Sequence, residues 1–195
     1  LGNAGWSYQD VLPYFKKSQN CELGADQYNG QGGELNVAAL RFTNPLSHAF
    51  LDAAKQAGYP TTPDFNGAQQ EGFNFYRVFQ KDGERCSNAR AFLRPAESRP
   101  NLTVITGAQA TRVLFEGKRA VGVRYSSGGK LHDARATREV ILSGGAINSP
   151  QLLLLSGIGP ADEIRRHGIE SVHDLPGVGK NLQDHLDVVV STREK

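Results

Sequence analysis

Apolar positions change character along this chain. Up to about residue 99 they are scattered among glycines and polar residues, and after Pro100 they gather into short, regularly spaced runs. In GWSYQDVLPYFKKSQN, Val11, Leu12 and Phe15 share one helical face. Ser7, followed three residues later by Asp10, predicts an N-cap for that helix, and Pro13 should bend or split it. NPLSHAFLDAAKQAG predicts a second helix: Asn44 caps, Pro45 takes the first helical position, Leu46, Phe50, Ala53 and Ala54 face inward, and Gly58 stops it. FNFYRVF, residues 73–79, alternates as a strand does before an Asp82-Gly83 turn. Ser87 then starts a short helix that Pro95 ends.

Beyond Pro100 five strand candidates follow: LTVIT, ATRVLF, RAVGVRY, KLHDARA and REVIL. The middle three alternate or turn tightly, as antiparallel hairpins do, and predict a β-meander over 110–136. The outer two are apolar enough for burial on both faces, so 102–106 and 139–142 are expected as neighbouring strands of one sheet. The fold class expected is therefore mixed α/β, with a boundary near Pro100 separating residues 1–99 from 100–195.

The stretch SGGAINSPQLLLLSGIGP, 143–160, reads as strand end, small-residue turn and helix. Ser149-Pro150 is expected to cap a helix through Leu155, all-round apolar and so buried between layers, with Gly157 at or just past its end. ADEIRRH predicts a further helix running to Gly168. In open α/β sheets ligands sit outside the carboxyl ends of strands, where small residues let the backbone approach closely. The same residues would serve equally as a tight turn that packs a helix and binds nothing. The glycines at 30, 32 and 33 in YNGQGGELNV do not satisfy GxGxxG, since Leu35 stands at the last position, and they read as turns.

Composition narrows the function classes. The 22 basic residues are interleaved with 20 acidic ones for a net charge of +2, with no Lys/Arg run, so nucleic acid is not an expected partner. The longest apolar block, Leu152 to Leu155, is far too short for a transmembrane segment. Two cysteines, Cys21 and Cys86, make neither a disulfide framework nor a metal-ligand spacing and fit a reducing compartment. The expectation is a cytoplasmic protein, with peripheral membrane association of a parent enzyme left open. The sequence contains no Met and closes on an apolar DVVV run against a polar tail, so a piece of a longer protein is expected.

GGAINSPQLLLLSGIGP resembles a long signature of the glucose–methanol–choline (GMC) oxidoreductases, the flavin-dependent alcohol oxidases and dehydrogenases. The segments GWSYQDVLPYFKKSQ, NPLSHAF, DFNGAQQEG, RPNLTVITGAQATRVLFEGKRAVGV and DLPGVGKNLQDH look like family segments in family order, nearest to the choline dehydrogenase and alcohol dehydrogenase branch. The resemblance covers nearly the whole chain. It implies FAD as cofactor, part of a substrate-binding domain in 1–99, and the later part of a Rossmann-like FAD-binding domain in 100–195. It places Ala110 where backbone groups meet the adenine, with Ala standing where Val is usual. Ser143, Gly144, Gly145 and Ala146 fall on the turn passing the adenosine side of the cofactor. Asn181, Asp184 and His185 are expected mainly as structural hydrogen-bonders.

The resemblance also implies what lies outside these residues. The dinucleotide fingerprint would precede Leu1, and the catalytic His and its partner would follow Lys195. His48, His132, His167, His173 and His185 therefore match no catalytic position, and no catalytic residue is expected here. The parent enzyme would oxidise a small-molecule primary alcohol, or choline, to the aldehyde: a His takes the hydroxyl proton and the hydride goes to flavin N5. A non-catalytic nucleotide- or partner-binding module that keeps only the middle of the fold is the alternative. A hydrolase is disfavoured, since no GxSxG elbow appears.

Overall fold

The structure, a computed structural model, describes residues 2–191. The chain divides into two compact units, one ending at Val104 and one beginning at Ile105.

The first unit opens with helix α1 (Tyr8–Ser18). Its capping box forms: the Asp10 N–H donates to Ser7 Oγ at 3.3 Å, and the Ser7 N–H donates to Asp10 Oδ2 at 3.0 Å. The Ser7 hydroxyl, donating to Asp10 Oδ2 at 2.7 Å, and the Ser7 N–H together lower the pKa of the Asp10 carboxyl. Pro13 lies inside α1 without ending it, costing the helix one backbone bond. Strand β1 (Gln19–Cys21) follows and pairs in parallel with β2 (Leu35–Val37). The glycine-rich loop between them lies directly on the end of α1. A Cβ at Gly30 would meet the Lys16 carbonyl oxygen, and one at Gly33 would lie 2.4 Å from the Ser18 carbonyl carbon. These glycines are there for close backbone approach, which leaves no room at them for a phosphate.

Helix α2 (Pro45–Gln56) begins as expected, with the Leu46 N–H donating to Asn44 Oδ1 at 2.9 Å, and Gly58 follows its end with φ +83°. Its inward face differs from expectation. Ala54 is buried, whereas Leu46 and Phe50 are exposed, and Phe50 is left to pack on the Phe73 ring at 5.8 Å. FNFYRVF is not a continuous strand. Only isolated bridges form, Thr61 with Phe73 and Ala38 with Val78. The Asp82-Gly83 turn does form, joining β3 (Gln80–Lys81) to β4 (Glu84–Arg85) with positive φ at both residues. A π-helical turn (Ala89–Leu93) and a 3₁₀ turn (Arg94–Ala96) follow, so the helix expected from Ser87 is short and irregular.

What holds the loops of this unit together is polar. Arg77 Nη1 lies 3.1 Å from Asp64 Oδ2 and donates to Asn29 Oδ1 at 3.1 Å. Asn29 Nδ2 donates to Asp64 Oδ2 at 2.8 Å and also to the Asp26 carboxylate, while Gln19 Nε2 donates to Asn29 Oδ1. Asn29 is buried, and so is Thr62, whose Oγ1 donates to the Gln69 carbonyl at 2.7 Å.

The second unit is built on the meander, strands β5 (Gln109–Glu116), β6 (Arg119–Ser127) and β7 (Lys130–Arg135), antiparallel in that order. The register runs Val113↔Val123↔Ala134, which puts the buried Val113 on the core face. The charged partners Arg124 and Asp133 sit opposite one another and bond at 2.7 Å, holding the Asp133 carboxyl below its ordinary range. Helix α3 (Gly145–Leu155) lies against β5. The chain continues through β8 (Ile158–Gly159), α4 (Ala161–Arg166) and β9 (His173–Asp174), with β8 and β9 parallel.

Two expectations for this region are corrected. Residues 102–106 and 139–142 are not strands, and Val104, Ile105 and Ile141 are at least half exposed. A strand buried on both faces needs ladder partners on both edges, and among the described residues neither segment has one. Ser149 does not cap α3, which begins four residues earlier with Pro150 in its interior. Ser149 Oγ instead reaches back to accept the Gly144 N–H at 2.8 Å, tying the turn down from within the helix. Nor is α3 buried all round: its leucines are half-covered and none is fully buried.

The exit from α3 is as expected. Gly157 sits just past the end with φ +86°, and its carbonyl accepts from the Val172 N–H at 2.8 Å. A Cβ there would stand 2.3 Å from the Glu170 carbonyl oxygen. Gly157→Ala should therefore destabilise the protein by about 1–3 kcal/mol from backbone strain, with the clash adding to it. A urea unfolding midpoint equal to the parent's would show that this turn relaxes freely.

Candidate functional site

A cleft opens between β5 and the segment that leads into α3. One wall is Gln109, Ala110 and Thr111 at the start of β5, backed by Val123 of β6. The other is Ile141 to Gly144 together with the α3 residues Asn148, Gln151, Leu152 and Leu155. The cavity measures ≈ 700 Å³, the size of a small-molecule site. β5 shifts register against β6 between Ala110 and Arg112, so Thr111 is an extra residue in the strand. A bulge of this kind twists a strand and re-aims its neighbours, here in the strand that forms one wall of the cleft. Thr111 Oγ1 donates to the Arg124 carbonyl at 3.1 Å, which fixes the bulge.

Of the five residues the sequence singles out, Ala110, Ser143 and Gly144 line this cleft together. Gly145 begins α3, and Ala146 faces a second cavity of ≈ 840 Å³ between α3 and the loop Gly177–Gln183. That loop is held to α4 by Lys180 Nζ, 2.8 Å from Glu163 Oε2, a bond that pulls the Glu163 carboxyl below its usual range. Asn181, Asp184 and His185 do not form the expected structural network. Among the described residues the one side-chain bond there is Asp184 Oδ1 accepting the His185 N–H. The segment is exposed, so there is no packed neighbour to bond to.

Sequence reasoning missed Gln109, Thr111, Asn148, Gln151 and Leu152. A signal for most of them was present: 148, 151, 152 and 155 follow the i, i+3, i+4, i+7 spacing of one helix face. It goes unread once the helix is started at Ser149.

The lining chemistry is specific in one respect. Polar groups come from Gln109, Thr111, Ser143, Asn148, Ser149 and Gln151, and no Lys, Arg, Asp or Glu is among the lining residues. Such a surface offers neutral donors and acceptors beside apolar area from Val123, Leu142, Leu152 and Leu155. It suits an uncharged, flat, hydrogen-bonding group such as a purine nucleoside and does not suit a pyrophosphate. The glycine turn and the neutral cleft therefore fit the adenosine half of a dinucleotide. Histidines elsewhere have other roles: His48 Nε2 lies 2.6 Å from Thr43 Oγ1, His132 stacks on Tyr125, and His167 ends α4.

An extended segment, a small-residue turn and a helix thus border a neutral cleft beside β5. The model of the GMC oxidoreductase family matches residues 1–187, and the chain belongs to that family. It is 56% identical to the mitochondrial choline dehydrogenase of Mus musculus over 189 residues, 97% of this chain and 32% of that protein. It is 51% identical to the oxygen-dependent choline dehydrogenase of Pectobacterium atrosepticum, covering 96% of this chain and 34% of that one. Among solved structures, an FAD-dependent oxidoreductase from Chaetomium thermophilum superposes with a TM-score of 0.87 at 32% identity, over 94% of this chain and 34% of that one. Pyridoxine 4-oxidase from Mesorbium loti gives 0.86 at 32% identity, over 94% and 36%. The chain thus spans about a third of the length of the curated relatives it matches.

Proposed function

We propose that this chain is the middle part of an FAD-dependent oxidoreductase that acts on the CH–OH group of a small alcohol, with choline as the substrate class. The observation that carries the reading is the 56% identity to a choline dehydrogenase across nearly the whole chain. The cleft at Ala110 and Ser143–Gly144 supports it, because its neutral lining fits the adenosine of the cofactor. When bound, FAD supplies the hydride acceptor. This chain's own part is to bind and orient. The β5 backbone at Ala110 would hold the adenine edge, and the small residues Ser143, Gly144, Gly145 and Ala146 would let the main chain approach the ribose side. Residues up to 99 contribute to the substrate-binding domain, and 100–195 to the FAD-binding domain.

On location, Cys21 and Cys86 are both buried and unpaired, in keeping with a reducing compartment such as the cytoplasm. Among the described residues no helix is long and apolar enough to cross a membrane.

The test is to express the protein at the length of its relatives and assay it with choline and a medium-chain alcohol. Choline oxidation by an FAD-containing enzyme is expected; turnover of the other alcohol alone would overturn the substrate assignment. In the same protein Ala110→Trp, which fills the cleft, should weaken FAD binding at least about tenfold, the scale set by a lost well-packed contact. Unchanged FAD affinity would remove Ala110 from the site.

A further inference from the structure

Ser156 lies just beyond α3 and is 1% exposed. Its Oγ donates to the Leu152 carbonyl at 2.5 Å and accepts the Val113 N–H at 2.8 Å. Val113 is in β5, an edge strand of the meander, and among the described residues that edge has no ladder partner for its outward amides. Among the described residues no other hydrogen bond joins β5 to α3.

The position of this bond gives it a role. Leu152 and Leu155 belong to one wall of the cleft, and Thr111, two residues before Val113, belongs to the other. The Ser156 hydroxyl is thus a clasp between the two elements that carry the walls. The outer side of the helix end is fixed separately, by the Gly157 and Gly159 carbonyls accepting from Val172 and Leu175. Losing the hydroxyl would strand the Val113 N–H in a dry contact, or let the walls part until water reaches it. Without ligand the walls can part. A bound nucleoside requires them together, so the cost of the unpaired amide falls on the bound state.

We propose that Ser156 is a positioning residue for the nucleotide cleft: it sets the spacing of the β5 and α3 walls and so the affinity for adenosine. This rests on the cleft being the adenosine site. It needs no contact between Ser156 and the cofactor.

The experiment uses the protein at the length of its relatives, with ADP as a probe that carries the adenosine and both phosphates of the cofactor but no flavin. Ser156→Ala should raise the ADP dissociation constant about tenfold and speed FAD release from the holoenzyme by a similar factor, the scale of one unsatisfied buried amide. The flavin absorption spectrum and kcat at saturating FAD should not move. Ser156→Thr, which keeps the hydroxyl, should recover most of the ADP affinity. A merely structural role would lower the thermal midpoint and the folded fraction while leaving ADP affinity of the folded protein unchanged. ADP affinity and FAD release within twofold of the parent would therefore overturn the proposal, whatever happens to the midpoint. Ala110→Trp is the control: if it weakens ADP binding and Ser156→Ala does not, this inference alone fails. If neither variant alters ADP binding, the adenosine reading of the cleft fails with it.

Discussion

Purified as residues 1–195 and supplied with FAD, the chain should oxidise neither choline nor a medium-chain alcohol above a no-protein control. It should bind FAD no more tightly than the micromolar range. The cleft has a neutral lining and offers no cation to a phosphate. Dinucleotide phosphates are normally held by a glycine turn at a helix N-terminus. The chain has no GxGxxG, and in its nearest imitation, glycines 30, 32 and 33, Gly30 and Gly33 are packed on the backbone of Lys16 and Ser18. Nor is a base expected, since the five histidines match no catalytic position of the family. His48 is engaged with Thr43 and packed edge-on to Phe75, His132 is stacked on Tyr125, and His167 closes a helix. Loss of a general base by itself costs about two to four orders of magnitude. A flavin held only by its adenosine end would also leave hydride transfer unaligned, which removes the effective-concentration gain as well. Flavin fluorescence titration and an oxidation assay decide the matter. Submicromolar FAD binding, or reproducible turnover, would show that a phosphate site or a base has been overlooked.

Local chemistry was legible in the sequence. The Ser7–Asp10 capping box, the Asn44-Pro45 helix start and the Asp82-Gly83 hairpin turn depend on neighbours within a few residues, and they form, as do the three-stranded meander and the Gly157 exit. Family membership was legible too, because a long ordered series of motifs carries it. What misled was any inference that needed a distant partner. LTVIT and EVIL have strand composition, but a strand is a set of hydrogen bonds to another segment, and the described residues supply none. Leu46 and Phe50 have the spacing of a buried face, yet spacing says only that two side chains point the same way. Ser149-Pro150 has the composition of a helix start, and the actual start was set by Gly144-Gly145, with the serine recruited backwards. The Ser156 bond to Val113 spans 43 residues and leaves no periodic trace.

The polar centre of the first unit escapes sequence reading for the same reason, and it should be the most sensitive point of that unit. Asp64→Ala is expected to destabilise the fold by about 3–5 kcal/mol, the usual cost of breaking one side of a buried ion pair. The two side chains are 10% and 19% exposed, so water screens the pair only weakly. Removing Asp64 would strand the Arg77 guanidinium against Asn29 and the Cys21 sulfur, its remaining partners at 3.1 and 3.5 Å. It would also free Asn29 Nδ2 from its 2.8 Å bond and release the turn where the Asn66 N–H donates to Asp64 Oδ1. Asp64→Asn keeps the shape and an acceptor but not the charge, so its loss should be smaller. The double change Asp64→Leu with Arg77→Met removes both charges and should recover part of the deficit, because no unpaired ion is then buried. Urea unfolding of Asp64→Leu, of Arg77→Met and of the double variant gives the coupling energy directly. Additive effects would mean that Arg77 and Asp64 are neighbours without being partners, and that the burial of Asn29, rather than the ion pair, holds the loops of this unit in place.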